Sequence, residues 1–138
     1  MRNLDKSLGD GGMPLLAQLG LSFERYGEGW AEAVWTPTES ACNPRGPVHG
    51  GVYAVVHDAA MNFAANSALE SGDRAATLDV SYQVRQGASA GQELAVRGEV
   101  VQLSRTVAYV ESLVTDAATG GIVSRAMSTF AVRRAERS

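Results

Sequence analysis

The chain has 138 residues, of which 45% are hydrophobic and 20% charged, with a formal net charge of −3 at pH 7. This length suits one domain with a moderate core, and the acidic balance with scattered basic residues argues against nucleic-acid binding. The chain starts without an apolar run, and it contains no stretch near the roughly 18 apolar residues of a membrane span. Its one cysteine excludes an internal disulfide framework and favours a reducing compartment. Together with the missing apolar stretch, this leads us to expect a cytoplasmic protein without membrane contact.

The first third of the chain predicts a short helix and a hairpin. Residues 1–12 are polar and glycine-rich and predict a loose arm, followed by a single domain over residues 13–138. In chain order, the elements predicted next are a short helix at 13–19 that stops at Gly20, strands at 21–26 and 30–36 around a Gly-Glu-Gly turn, and a proline-broken loop at 37–47.

A long helix is predicted over residues 51–67, and it is apolar nearly all round. At about 100° per residue, one stripe collects Val52, Val55, Val56, Ala59 and Phe63. The opposite side still carries alanine and methionine, with the only acid of this helix among them. Because such a helix is buried on more than one side, we expect one side on this chain's sheet and the other against a second subunit.

After Gly72 the hydrophobic period changes to two residues, which predicts strands. They are expected at 77–85, 93–103 with a bulge near Val100-Val101, 105–115 and 122–132, joined by turns that include a hairpin turn at 116–121. In the first of them the alternation predicts Leu78, Val80 and Tyr82 on one face and Thr77 on the other. Consecutive strands with short connections form an antiparallel sheet, so the chain predicts an α+β architecture with one long helix across the sheet.

The stretch 43–58 carries the pattern that points to chemistry. A polar loop ends in His49-Gly50-Gly51 and continues directly into the apolar helix, which holds Asp58 about two turns in. The first N–H groups of a helix lack intrahelical partners and face whatever docks there. A lone carboxylate on an apolar helix is costly to bury without a reason. Together these features predict an end that binds an electrophile and an acid that acts on it.

The order of elements and the Asn43…His49-Gly50-Gly51…Asp58 pattern resemble the hotdog-fold acyl-CoA thioesterases, in particular the PaaI-type and 4-hydroxybenzoyl-CoA thioesterase-like group. The resemblance extends from about residue 15 to residue 132 and includes Thr77-Leu-Asp-Val-Ser-Tyr and Ala126-Met-Ser-Thr-Phe. It implies a hotdog fold, a curved antiparallel sheet around one helix. It also implies an acyl-CoA substrate and a homodimer that pairs again into a tetramer, with active sites between subunits.

The resemblance implies a role for each residue of the pattern. Asp58 matches the catalytic carboxylate, and Gly50 matches the residue whose backbone N–H binds the thioester oxygen. Asn43 and His49 match positions that orient the thioester or the water, and Thr77 matches a hydroxyl near the acid. The acid would act either as a nucleophile that forms a mixed anhydride or as a general base that activates water, and both remain open.

The contacts to CoA are less well matched. Relatives often carry a Gly-Arg or Gly-Lys pair near the CoA nucleotide, where this chain has Leu-Ser104-Arg105-Thr. Ser104, Arg105 and Arg85 are therefore the candidate CoA contacts. No cofactor is expected, and no metal, because His49, His57 and Asp58 lack the usual spacing of zinc ligands.

Two other functions compete with hydrolysis. An enoyl-CoA hydratase of this fold usually places a histidine several residues after the acid, and none follows Asp58. A non-catalytic acyl-CoA-binding or sensing protein is the alternative kept open. The acyl group, aromatic or medium-chain, is not specified by the pattern.

Overall fold

The computed structural model describes residues 1–137 and contains the predicted elements in the predicted order. The helices are α1 (Pro14–Leu19) and α2 (Gly50–Ser67), with short 3-10 turns at Asp5–Ser7 and Glu39–Ala41. The strands are β1 (Leu21–Gly27), β2 (Trp30–Trp35), β3 (Arg74–Val84), β4 (Leu94–Leu103), β5 (Val107–Asp116) and β6 (Ile122–Arg133).

The strands form one six-stranded sheet in the order β1-β2-β4-β5-β6-β3, with antiparallel neighbours throughout. Helix α2 packs on one face of this sheet and contacts all of its strands. An antiparallel sheet holding one long central helix is the hotdog fold, so the predicted fold is confirmed. Strands β1 and β3 lie at the two edges of the sheet.

Helix α2 approaches the sheet most tightly over a glycine. A Cβ at Gly98 in β4 would lie 2.4 Å from the carbonyl oxygen of Ala60 and 2.7 Å from its carbonyl carbon. Only glycine permits this separation of helix and strand backbones. Nearer the start of the helix, the Tyr53 ring meets the fully buried Trp35 ring edge-on, with centroids 5.5 Å apart. The core therefore lies between α2 and the centre of the sheet.

The sheet-facing side of α2 includes only part of the predicted apolar stripe. The buried residues of α2 include Tyr53, Val56, His57, Ala60, Phe63 and Ala64, so Val56 and Phe63 of the stripe are among them. Val52, Val55 and Ala59 are only half-buried, and the latter two share the opposite side with Asp58. The sequence does not indicate which side the sheet covers, because both sides of this helix are apolar.

The ladders show four register shifts, and two of them bear on the site and on the sequence prediction. The β4–β5 register shifts between Val100 and Gln102, which confirms the predicted bulge. An unpredicted bulge lies in β3 between Thr77 and Asp79. The Asp79 carboxylate accepts the Thr129 N–H there at 2.9 Å, and Leu78 is left 63% exposed.

The β3 bulge corrects the predicted alternation. Thr77 reaches α2, as do Val80 and Tyr82, whereas Leu78 does not join their face. A bulge adds one residue to one strand and therefore shifts the two-residue period on either side of it.

Residues 1–12, for which the sequence predicts a loose arm, lie against β1 in the structure. Gly9 and Phe23 exchange backbone hydrogen bonds of 2.9 and 2.7 Å, and the Leu4 N–H donates to the Tyr26 hydroxyl at 2.7 Å. Gly9 thus pairs with backbone groups that an edge strand leaves open. Helix α1 then ends at Gly20, whose φ of 93° provides the left-handed cap.

Within residues 1–137, no helix is long and apolar enough to cross a membrane.

Candidate active site

Asp58 lies midway along α2, on the side turned away from the sheet. It is half-buried in the wall of an open cavity of about 720 Å³, whose lining is mostly apolar and includes Leu4, Phe23, Val55 and Val80. The Thr77 hydroxyl donates to the Asp58 carboxylate over 2.6 Å. A hydrogen bond to an ionised acceptor is among the stronger kinds, so β3 fixes the direction in which this carboxylate points.

The start of α2 is organised by His49, which is its N-cap. The His49 Nδ1 accepts the Gly51 N–H at 3.0 Å, so a neutral ring carries its proton on Nε2. The Gly50 N–H belongs to the first turn, whose amides lack intrahelical acceptors. A Cβ on Gly50 would meet no atom within 4 Å, and Gly50 does not have a positive φ. The folded chain therefore does not itself require glycine at this position.

Strand β3 also contacts this end of the helix. The Tyr82 hydroxyl donates to the carbonyl oxygen of Gly50 at 3.1 Å. In a regular strand, Thr77 and Tyr82 would face opposite sides because five residues separate them. The bulge at Leu78 brings both side chains to the α2 side, where one holds Asp58 and the other holds Gly50.

The contact between Tyr82 and Gly50 is not predicted from the sequence, which places Tyr82 on the apolar face of its strand. The stretch Thr77-Leu-Asp-Val-Ser-Tyr shows uninterrupted alternation, so it contains no local signal for the bulge.

Within one chain, the Asp58 carboxylate and the Gly50 N–H are far apart. Gly50 and Asp58 are two turns apart on one helix, which corresponds to about 12 Å along its axis. Asn43 is also kept elsewhere, in the loop before α2. Its side-chain oxygen accepts the Arg45 N–H at 2.9 Å, and its own N–H donates to the Pro47 carbonyl at 2.9 Å. Within a single chain, Thr77 is the predicted partner that reaches Asp58.

The predicted CoA contacts are similarly separated. Ser104 and Arg105 form the exposed turn between β4 and β5, and the Arg134 guanidinium donates to both of their carbonyl oxygens at 3.1 Å. That turn lies beside the N-terminal end of β3. The Val132 N–H donates to the Thr106 carbonyl next to the turn, and the following residue, Arg133, pairs with Arg74, the first residue of β3. Arg85 follows the other end of β3, about 30 Å away along the strand.

His57 forms a polar site that sequence analysis missed, having weighed this residue only as a metal ligand. Its side chain is fully buried, with Nδ1 2.8 Å from the Ser112 Oγ and Nε2 2.8 Å from the Ser124 Oγ. The Ser124 hydroxyl donates to the Gln83 carbonyl at 2.7 Å and can therefore only accept from His57. The ring consequently donates from Nε2 to Ser124 and accepts at Nδ1 from Ser112.

Burial lowers the pKa of His57 to about 4, so its ring is neutral at pH 7. A neutral ring suits the assigned hydrogen bonds, because Nδ1 must remain an acceptor. Across the described residues, no group of three or more His, Cys, Asp or Glu is placed to hold a metal ion.

Comparison with solved structures finds the same fold in two thioesterases and in a protein bound to acetyl-CoA. Thioesterase superfamily member 2 of zebra fish is 21% identical, with 88% of this chain and 86% of that one covered and a TM-score of 0.79. A thioesterase from Haemophilus influenzae is 19% identical, with coverage of 97% and 92% and a TM-score of 0.85. A Streptococcus mutans protein bound to acetyl-CoA is 22% identical, with coverage of 85% and 91% and a TM-score of 0.76.

At these identities the likeness establishes the fold. No curated protein sequence matches the chain. The family model described as the thioesterase superfamily matches residues 45–122, which is more than half of the 138 residues and includes the start of α2, Asp58 and Thr77. The chain therefore belongs to the thioesterase superfamily.

Proposed function

We propose that this protein hydrolyses acyl-CoA thioesters to the free acid and CoA, in active sites formed between two copies of the chain. The observation that carries the proposal is that one edge strand, β3, holds Asp58 through Thr77 and Gly50 through Tyr82. The two groups needed for acyl transfer are therefore linked to fixed positions on a strand that has an open side.

Pairing of two β3 strands would complete the site. In an antiparallel pair related by a two-fold axis at Val80, with the bulge residue Leu78 outside the ladder, Thr77 lies opposite Tyr82 of the partner subunit. Directly opposite residues share a face of the sheet, so both side chains remain on the helix side. Asp58 then comes beside Gly50 of the partner subunit, which is the combination that a single chain keeps about 12 Å apart.

The chemistry follows from these two groups. The thioester oxygen accepts the Gly50 N–H, where the N-terminal end of α2 stabilises the negative charge that develops on it. Asp58 either attacks the carbonyl carbon and expels the CoA thiolate, leaving a mixed anhydride that water hydrolyses, or removes a proton from the attacking water. His49 has its Nε2–H available to donate to the thioester oxygen or to the departing sulfur. Asn43 would help to orient the thioester or the water.

The apolar cavity beside Asp58 supports a hydrophobic acyl group, aromatic or medium-chain. The CoA portion would lie along the subunit boundary. The proposed pairing brings Arg85 of the partner subunit to the end of β3 near Ser104 and Arg105, where the cations would meet phosphates. The acetyl-CoA bound to the Streptococcus mutans neighbour supports a CoA ligand for this fold. A tetramer and a cytoplasmic location stay predictions from the sequence.

The test is free-thiol release from a panel of aromatic and aliphatic acyl-CoAs. We expect turnover by the wild type and a loss of at least about 100-fold in Asp58→Asn, since acid–base groups contribute about 10²–10⁴. Glu111→Gln, on the exposed outer face of β5, is the matched control and should retain full activity.

A second variant separates folding from chemistry. Gly50→Ala has room for its methyl group in the folded chain and should be as stable as the wild type, yet the methyl group would stand where the thioester approaches. Normal hydrolysis by Asp58→Asn would remove the proposed mechanism. Tight acyl-CoA binding with no thiol release across the panel would support the non-catalytic binding protein instead.

A further inference from the structure

Two tyrosines hold the first turn of α2: Tyr53 at its end is buried against Trp35, and Tyr82 of β3 reaches its opening glycine. Tyr82 extends from β3, and its hydroxyl donates to the Gly50 carbonyl oxygen at 3.1 Å. Its ring lies 6.3 Å from that of the buried His57, which is itself bonded to β5 and β6. We infer that Tyr82 is a positioning residue that fixes the Gly50 peptide for the reaction, an inference that rests on the proposed function.

The opening of this turn needs an anchor of its own because it consists of two adjacent glycines, which lie ahead of the buried Tyr53. Gly50 and Gly51 are exposed, and glycine has the widest range of backbone conformations. The other side-chain bond at the pair, from the Gly51 N–H to His49, is local and moves with the segment. The loop before it is held at the His49 N–H, which donates to the Ala41 carbonyl at 2.9 Å. Tyr82 restrains the Gly50–Gly51 peptide, which directly follows the Gly50 N–H that would serve as oxyanion donor.

Fixing Gly50 matters for rate more than for substrate affinity. A donor that stabilises an oxyanion acts through its distance from the place where charge develops. A misplacement of about 1 Å at such a centre can cost on the order of 100-fold in rate. The cavity beside Asp58 and the proposed CoA contacts lie on other residues, so loss of the Tyr82 hydroxyl should lower kcat and leave KM nearly unchanged.

The β3 bulge gives this anchor a second consequence. It places Tyr82 on the same face as Thr77, so one strand sets the positions of both the carboxylate and the oxyanion donor. In the proposed dimer, Tyr82 of one subunit therefore positions the donor that serves the Asp58 carboxylate of the other.

Tyr82→Phe tests the inference because it removes only the hydroxyl. We expect kcat to fall about tenfold with KM within about twofold of the wild type, consistent with a displaced rather than an absent donor. Hydrogen–deuterium exchange of the segment 49–54 should become faster in the same variant. Tyr109→Phe, whose side chain is 47% exposed on β5, is the matched control and should change neither quantity. The oligomeric state of each variant is checked by light scattering.

The outcomes separate this inference from the proposed function. Unchanged kcat and unchanged exchange in Tyr82→Phe, with an active wild type, would overturn the inference and leave hydrolysis intact. An equal rise in KM and fall in kcat, with dissociated subunits, would also overturn it, because Tyr82 would then serve assembly. A wild type that releases no thiol, together with faster exchange in Tyr82→Phe, would remove the proposed function while the anchoring of Gly50 stands.

Discussion

Protonation of His57 should control the acid stability of this protein. The ring is fully buried between Ser112 and Ser124, and its burial lowers the pKa from 6.5 to about 4. In the unfolded chain the ring is free to take a proton near its ordinary pKa of about 6.5. The unfolded state therefore binds more protons between these two values, so the free energy of unfolding falls as the pH falls through this window.

The magnitude follows from the size of the pKa shift. Each pKa unit corresponds to about 1.36 kcal/mol, so the full shift of His57 amounts to about 3 kcal/mol of stability that is present above pH 6.5 and lost by about pH 4. Within the window the slope should approach about 1.4 kcal/mol per pH unit, the value for one proton. A loss of this size is a large part of the stability of a typical domain.

Urea unfolding at a series of pH values between 7 and 4.5, at one fixed protein concentration, measures this slope. Fixed concentration matters because oligomer formation also stabilises the folded state. His57→Gln keeps hydrogen-bonding groups but cannot titrate, so its stability should be nearly flat over the same range. Wild-type ring signals in NMR provide a check that does not depend on the variant. A flat wild-type profile, or a ring that titrates near pH 6.5, would refute the reasoning.

Two further changes test the packing and the ion pairs. Gly98→Ala should cost about 1–3 kcal/mol in urea unfolding, because its methyl group overlaps the Ala60 carbonyl, whereas Gly87→Ala, with open space around its Cβ, should change little; equal stability of the two variants would contradict the close approach of helix and strand. Asp73 is buried and accepts the Ala135 N–H at 2.8 Å and the Arg134 guanidinium at 3.2 Å, and the backbone hydrogen bond foremost lowers its pKa to about 2. Asp73→Asn should lower the Tm at pH 7 by several degrees, and the difference should shrink as the pH falls from about 4 to 2 and the wild-type carboxyl protonates; a constant difference down to pH 2 would contradict this ionic contribution.

The elements of the fold could be predicted from the sequence because their signals are local. Alternation marked the strands, Gly20 marked the end of α1, and the slip in hydrophobic phase located the bulge near Val100. The pattern around His49 and Asp58 was also local, since it lies within one loop and the helix that follows it.

Other features needed the tertiary structure because their partners are distant in the sequence. His57 bonds serines 55 and 67 residues away, and Tyr82 bonds a carbonyl 32 residues before it. Which apolar side of α2 the sheet covers was likewise decided by packing, since hydrophobicity is similar on both.

The β3 bulge shows the difference between what the local sequence determines and what the pairing of strands decides. The sequence from Thr77 to Tyr82 alternates cleanly, and by itself it determined that this segment is a strand. Its phase was decided by pairing with β6, where the Asp79 carboxylate takes the Thr129 N–H and Leu78 is displaced from the ladder. Local composition sets which backbone conformation is favoured, whereas register depends on hydrogen bonds between strands far apart in the chain. That register is what brings Thr77 and Tyr82 to one face, beside Asp58 and Gly50.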